Sequence, residues 1–287
     1  MTIYLSENMG ITGISEFNQN NPVIGYDSVF KNTNIQASFE VRENKASNMW
    51  SPDTYTIWQG AFGNALGHTI QISNPESRDV DYIGIAKHNF ASGRFSYEIQ
   101  VSFDNGGSWA TIVEPKVPQD DSAILERFTQ VNGWIQVIIM PLSDWDEYTP
   151  PRIAHIKLGK LLTLQRRIYV GHQPADIAEQ SKKINYSSET GNYLSHIVLR
   201  KYRKGSISQE NNTPDFIREK IRPFINHLNG NLNDDYAQFT FFFSWRPGDY
   251  PDEVVYAWTN GNIIPENQGG DQMGGRMRFS IDFEAIA

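Results

Sequence analysis

The chain has 287 residues, no cysteine and a net charge of −8. The length allows two domains, each with its own core. The missing cysteine excludes a disulfide scaffold, a thiolate metal site and a cysteine nucleophile. The balance of 25 Lys and Arg against 33 Asp and Glu argues against a phosphate-binding surface, which needs clustered positive charge.

Residues 1–20 read as an N-terminal arm. Its start, MTIYLSENMGITGISEF, has neither the basic opening nor the continuous apolar stretch of a secretory leader. No run of about 18 apolar residues occurs anywhere, so no membrane-spanning helix is expected. The clearest β pattern follows over residues 68–109. His68–Ile72 and Asp81–Ile85 read as short strands. Phe95, Tyr97, Ile99, Val101 and Phe103 then alternate with polar partners, the period of a half-buried strand. Asp104-Asn105-Gly106-Gly107 supplies the positive-φ positions of a tight hairpin, and Trp109 opens the returning strand. Phe103 and Trp109 are therefore expected in the core. Trp134–Met140 and Ile153–Leu158 complete an antiparallel sandwich over residues 21–165.

The second unit, residues 166–287, is expected to be a β-rich assembly domain joined near residues 160–168. Arg166–His172 and Tyr193–Tyr202 read as strands. Thr213 as N-cap, Pro214 at the first helical position and Asp215 at the positive end of the dipole open a helix over 213–228. Phe216, Ile217, Ile221, Phe224, Ile225 and Leu228 form its apolar face, Pro223 should kink or divide it, and Gly230 should end it. Residues 238–261, QFTFFFSWRPGDYPDEVVYAWTNG, carry two aromatic and β-branched runs split by Pro, Gly and Asp. They read as two strands buried on both faces. Asn267–Gly275 reads as a flexible loop, and Arg276–Ala285 as a last strand alternating Met277, Phe279, Ile281 and Phe283 with polar residues.

The catalytic patterns sought are missing. The six histidines have no metal spacing, and there is no nucleophile elbow, Walker loop or dinucleotide fingerprint. Asp144, Asp146 and Glu147 sit too close along one loop to flank a sugar as a glycosidase pair. The Asp104–Gly107 segment is accounted for as a turn without a bound cation. The reading is thus of a non-enzyme without cofactor or metal. Trp50, Trp58 and His68 could stack on a sugar, although plugging the sandwich core and rim is the stronger reading for both tryptophans. The run Arg200, Lys201, Tyr202, Arg203, Lys204 is the strongest positive patch. Edge protection or a salt-bridged subunit contact, with Asp282 and Glu284 of the last strand as partners, explains it better than nucleic acid does.

The segments NIQASFE, Trp50-Ser-Pro52, Trp58, DYIGIAKHNF, VSFDNGGSW and RIAHIKLGK, in that order, resemble a discoidin-like (galactose-binding-like) jelly roll over roughly residues 20–165. The FFFSWRPGDYPDEVVYAW segment resembles one near the C-terminus of tailed-phage minor structural proteins. Together these resemblances imply a non-catalytic, distal-tail-like tail or baseplate protein of the virion, assembled in the host cytoplasm. It would form a closed homo-oligomeric ring, usually a hexamer in such proteins, mainly through its C-terminal half, with other tail and baseplate proteins as partners. A collar protein or a fibre anchor stays open as its place. The alternative is a carbohydrate-binding, host-recognition module that uses the jelly roll on a surface glycan.

Overall fold

In the computed structural model of the chain, residues 20–61, 67–142, 149–168, 172–175, 177–229, 239–259, 261–269 and 275–286 are described. In chain order the strands begin with β1 (Val23–Gly25), β2 (Ile35–Ala37), β3 (Trp58–Gln59), β4 (His68–Ile72), β5 (Val80–Ala86) and β6 (Phe95–Ser102). They continue with β7 (Ala110–Lys116), β8 (Ile124–Val131), β9 (Trp134–Pro141), β10 (Arg152–Ile153), β11 (His155–Gly159) and β12 (Leu162–Thr163). Then come β13 (Glu179–Ser187), β14 (Tyr193–Asn212) and a helix, α1, over residues 214–229. The chain closes with β15 (Thr240–Ser244), β16 (Val254–Trp258), β17 (Glu266–Gly269) and β18 (Arg276–Ile286). The protein is mainly β, with several antiparallel sheets.

The first core lies between the five-stranded sheet β2-β4-β9-β6-β7 and the three-stranded sheet β11-β5-β8. Alternation creates it. Phe95, Tyr97, Ile99 and Val101 point inward from β6, and Ile135, Val137 and Ile139 do so from the neighbouring β9. Burying each such side chain contributes roughly 1.5–3 kcal/mol. Phe103 corrects the sequence reading, because it is 67% exposed. β6 stops at Ser102, whose hydroxyl donates to the Asp104 carboxylate at 2.7 Å and accepts from the Gly106 N–H at 2.7 Å. The turn therefore begins one residue before the expected strand end, with Asn105 and Gly106 at φ 57° and 93°. Trp109 is half-buried beside it rather than enclosed in the core.

The second core is built on the sheet β12-β1-β15-β16-β18-β14-β13, with β17 also on β18. Phe241 and Phe243 of β15 face α1 and β18, where Phe224 meets Phe241 edge-on at 5.0–6.0 Å separations typical of aromatic pairs, here 5.4 Å. Phe242, between them, points the other way and packs with Tyr256, Val254, Ala86 and Ala123 against the sandwich. Both faces of the FFF run are thus covered. α1 starts as its sequence predicts: Thr213 accepts the Phe216 N–H, with Pro214 and Asp215 in the first turn. Pro223 does not divide it. The helix widens into a π-turn at Ile217–Ile221 just before the proline, which absorbs the missing N–H, and runs on to Asn229.

Two short strands change sides relative to the sequence reading. β1 pairs with β15 (Val23 with Ser244, Gly25 with Phe242) and with β12 (Val23 with Thr163). The chain therefore enters and leaves the sandwich through the C-terminal sheet. Arg166–His172 forms no strand among its described residues; the Arg166 carbonyl instead accepts from the buried Gln209 amide at 2.6 Å. Part of the expected Asn267–Gly275 loop belongs to β17. Residues 1–19, Asp144, Asp146, Glu147 and Gly230 lie outside the described residues.

Candidate functional site

Trp50, Trp58 and His68, weighed as sugar contacts against core and rim packing, do not form a platform. Trp58 and His68 are fully buried and meet edge to face at 6.0 Å inside the sandwich. Burial lowers the pKa of His68, as expected where a charged ring would lose water. Trp50 is half-buried, and its indole N–H donates to the Phe30 carbonyl at 3.2 Å. The cause is register: inward positions of β3 and β4 enclose both rings, so neither offers a face to a ligand. An aromatic on a nearby loop that does reach solvent is Tyr55, 93% exposed, which sequence reasoning passed over. Its loop is pinned by Asp53, which accepts the Tyr55 N–H at 2.8 Å and the Thr56 N–H at 2.6 Å. Partial burial works against the Asp53 carboxylate, but hydrogen bonds from Ser51, Thr56 and Tyr55 outweigh it and lower its pKa.

The Asp104 turn is self-contained. Hydrogen bonds from the Ser102 and Ser108 hydroxyls, 2.7 Å each, and from the Ser108 N–H at 2.8 Å hold its carboxyl well below the usual range. Among the described residues no group of three or more His, Asp or Glu could hold a metal, and no helix is long and apolar enough to cross a membrane.

The basic run, expected to protect a strand edge or to meet a neighbouring subunit, has partners within its own chain. β14 pairs with β18 so that Lys204 stands opposite Glu284. Lys204 reaches that carboxylate at 3.4 Å and Arg200 at 4.0 Å, while Lys201 pairs with Glu179 at 2.8 Å. Arg200 and Lys204 also flank the Tyr202 ring at 4.7 and 5.3 Å. Arg203 stands opposite Glu179 and Ala285 in the sheet, and Asp282 opposite Ser206, its carbonyl accepting from the Thr259 hydroxyl at 2.6 Å.

Beyond this base, β13 and the first half of β14 continue as a two-stranded arm with no third strand among the described residues. Tyr193 and Leu194 are each 63% exposed, and Ile184, Tyr186, Ile197, Val198 and Leu199 are exposed as well. Residues 179–204 hold six Lys and Arg against two Glu on a chain of net −8. The sequence signal was there: Ile197-Val198-Leu199 is apolar on both faces of a strand.

Between the two cores lies a polar seam. Lys157 of β11 is fully buried and donates to the Thr240 carbonyl at 2.7 Å and the Tyr26 carbonyl at 3.4 Å. Burial drives its pKa from 10.5 down to about 7, against the pull of Asp27. His155, two residues earlier, bonds the Ser51 carbonyl at 2.8 Å and packs against Tyr256 at 5.1 Å. Burial, then the Lys157 charge, lowers its pKa to about 3. The Tyr256 hydroxyl closes the seam on Pro52 O at 2.7 Å and Thr240 Oγ1 at 2.9 Å.

No protein-family model matches the chain, and no curated protein sequence matches it. Solved structures similar to part of the chain include chitosan-binding module 1 of a chitosanase/glucanase from Paenibacillus sp. IK-5. That module is 21% identical at a TM-score of 0.39, over 46% of this chain and 98% of the module. A pectin-binding carbohydrate-binding module is 18% identical at 0.36, over 46% and 91%. A CBM32 module from Clostridium perfringens, in complex with GalNAc-β-1,3-galactose, is 16% identical at 0.37, over 50% and 98%.

Proposed function

We propose that the chain is a non-catalytic assembly protein whose C-terminal sheet joins copies through the β13–β14 arm, with the sandwich as a displayed module. One observation carries this reading: the arm is apolar on its surface, and among the described residues no third strand pairs with it. A two-stranded ribbon is marginal alone in water, and exposed apolar surface of this extent marks an interaction site. The occupant is a second copy of this chain. The arm is basic, whereas the rest of the chain is strongly acidic, so charge steers the arm onto a neighbour. Contacts of this unlike-to-unlike kind close into a ring when the rotation allows. The resemblance of the FFFSW segment to phage minor structural proteins supplies the setting, a tail or baseplate. In an electron-microscopy map of the particle the arm should lie against the next copy. An arm in solvent, with the sandwich making every subunit contact, would overturn the reading.

A second reading, glycan binding by the sandwich, is favoured by Tyr55. A nearly fully exposed ring on a loop locked by Asp53 is a rigid stacking face. A glycan array with the full chain and with Tyr55→Ala tests it: a hit that survives the substitution removes Tyr55 from the site, and no hit removes the reading.

A further inference from the structure

We propose that the cleft between β8 of the sandwich and the β15–β16 turn binds a carboxylated small molecule of monosaccharide size. A cavity of about 250 Å³ lies there, lined by Lys116, Glu126, Arg127, Ser244 and Pro247 among others. A second, of about 310 Å³, adjoins it and shares Lys116 and Glu126. Together they reach the size of small-molecule sites, which favour such joins between folded units.

The polar groups of the smaller cavity are unequally satisfied. Both Glu126 oxygens accept from Lys116 Nζ at 2.8 Å, and the Tyr97 hydroxyl donates to the same carboxylate. That pair is electrically closed. Arg127 is different. It makes no ion pair among the described residues and reaches only the Pro247 carbonyl, at 3.3 Å across the cleft. Burial lowers its pKa, with Glu126 pulling the other way through space, so its charge is held partly out of water without a matching anion in contact. Ser244, at the end of β15, is 1% exposed, and its hydroxyl has no partner among the described residues. A buried hydroxyl left unbonded carries a desolvation cost that a ligand oxygen would remove.

The lining thus presents one uncompensated positive charge beside one free donor. That matches a monoanion better than a dianionic phosphate, and a guanidinium fork matches a planar carboxylate. The adjoining cavity adds Gln119, Ser122, Asp120 and Asp252. The first two suit hydroxyl groups, and the two carboxylates repel a further negative charge, so the single anion belongs at the Arg127 end. A polyhydroxylated monocarboxylate, an acidic sugar, fits both halves. The cleft shares no residue with the Tyr55 loop or the arm, so its failure leaves both functional readings standing.

The test uses the full chain and isothermal titration with D-glucuronate, D-glucose and sulfate. Glucuronate should bind, with glucose weaker by about tenfold or more, the scale of a hydrogen bond to a charged group. Arg127→Gln should erase that preference, and Ser244→Ala should weaken glucuronate severalfold. Arg127 makes no ion pair among the described residues and reaches only one backbone carbonyl, so its variant should keep the wild-type melting temperature. No glucuronate binding, equal binding of glucose, or unchanged binding in Arg127→Gln would each overturn the site. Sulfate binding more tightly than glucuronate would make it a general oxyanion site and overturn the carboxylate assignment. Loss of binding in Tyr55→Ala with Arg127→Gln unaffected would move the ligand to the loop and do the same.

Discussion

The sandwich and the arm use the same kinds of residue to opposite ends. In the sandwich, Trp58, Ile70, Ile83 and Val137 are fully enclosed, and each strand has partners on its sheet and a sheet across from it. In the arm, Leu194, Ile197 and Leu199 are half exposed or more, and among the described residues its strands pair only with each other. The kinds of apolar residue do not separate the two regions; the number of neighbours around them does. A closed core stabilises the subunit, whereas an open apolar ribbon becomes stable only when something else covers it. The difference is what the proposed assembly role rests on: the sandwich has its core covered within the subunit, whereas the arm leaves apolar side chains in solvent.

The sharpest way to break that contrast is to truncate one large apolar residue on each side of it. Trp58→Ala removes a fully buried ring from the first core and should destabilise the subunit by about 3–5 kcal/mol. Leu194→Ser in the arm should change subunit stability by no more than about 0.5 kcal/mol while weakening self-association, because it touches no core. Urea denaturation of both variants, together with sedimentation of the assembled form, checks this. A large loss of subunit stability in Leu194→Ser would mean the arm is packed within its own chain, and the contrast would fall.

Much of this was legible in the sequence, and the gaps have physical causes. The alternation of Phe95 to Val101 fixed a one-sided strand, and the unbroken FFF run with its Pro and Gly break fixed a two-sided one; both stand as read. The helix start was legible because Thr213, Pro214 and Asp215 act locally. β1 and β12 were not, since strands of three and two residues have no period, and their pairing with β15 is set by distant chain. For Trp58 the stronger reading, a core plug, is what the structure shows, while the weaker one, a sugar contact with His68, stayed open because an aromatic at a loop edge and one in a core share the same letters. Glu284 was assigned outward because a strand's polar face does not reveal which neighbouring strand stands beside it.

The seam between the two units gives the next prediction, smaller and dependent on pH. Lys157 has a pKa near 7 in the folded protein against an ordinary 10.5. Between those values the unfolded chain binds the proton that the folded chain does not, so stability should rise as pH increases from about 7 to about 10.5 and level off below 7. His155, lowered from 6.5 to about 3, works in the acid range: stability is lost as pH falls through that window. Lys157→Met should remove the alkaline slope and, by relieving a buried charge without a carboxylate in contact, stabilise the protein at pH 7 by about 1–3 kcal/mol. Denaturation at pH 7, 8, 9 and 10 reads both effects. Parallel profiles for the variant and the wild type would show that the two units do not bury this amine when docked.

The smallest expected effect lies at the base of the arm, where the two regions of the comparison meet. Glu284 takes Lys204 at 3.4 Å and Arg200 at 4.0 Å, and both cations are at least half exposed. Water and salt screen such pairs, so Glu284→Gln should cost the subunit less than about 1 kcal/mol, and less again in 1 M salt. Its effect on assembly should be equally slight, because the carboxylate already has its partners within the chain. Sedimentation of the variant at low and high salt decides between two wirings. If the assembly dissociates at low salt while the denaturation midpoint of the subunit is unmoved, Glu284 serves a basic residue of the neighbouring copy, and the arm is held to its neighbour by charge at its root as well as by its apolar surface.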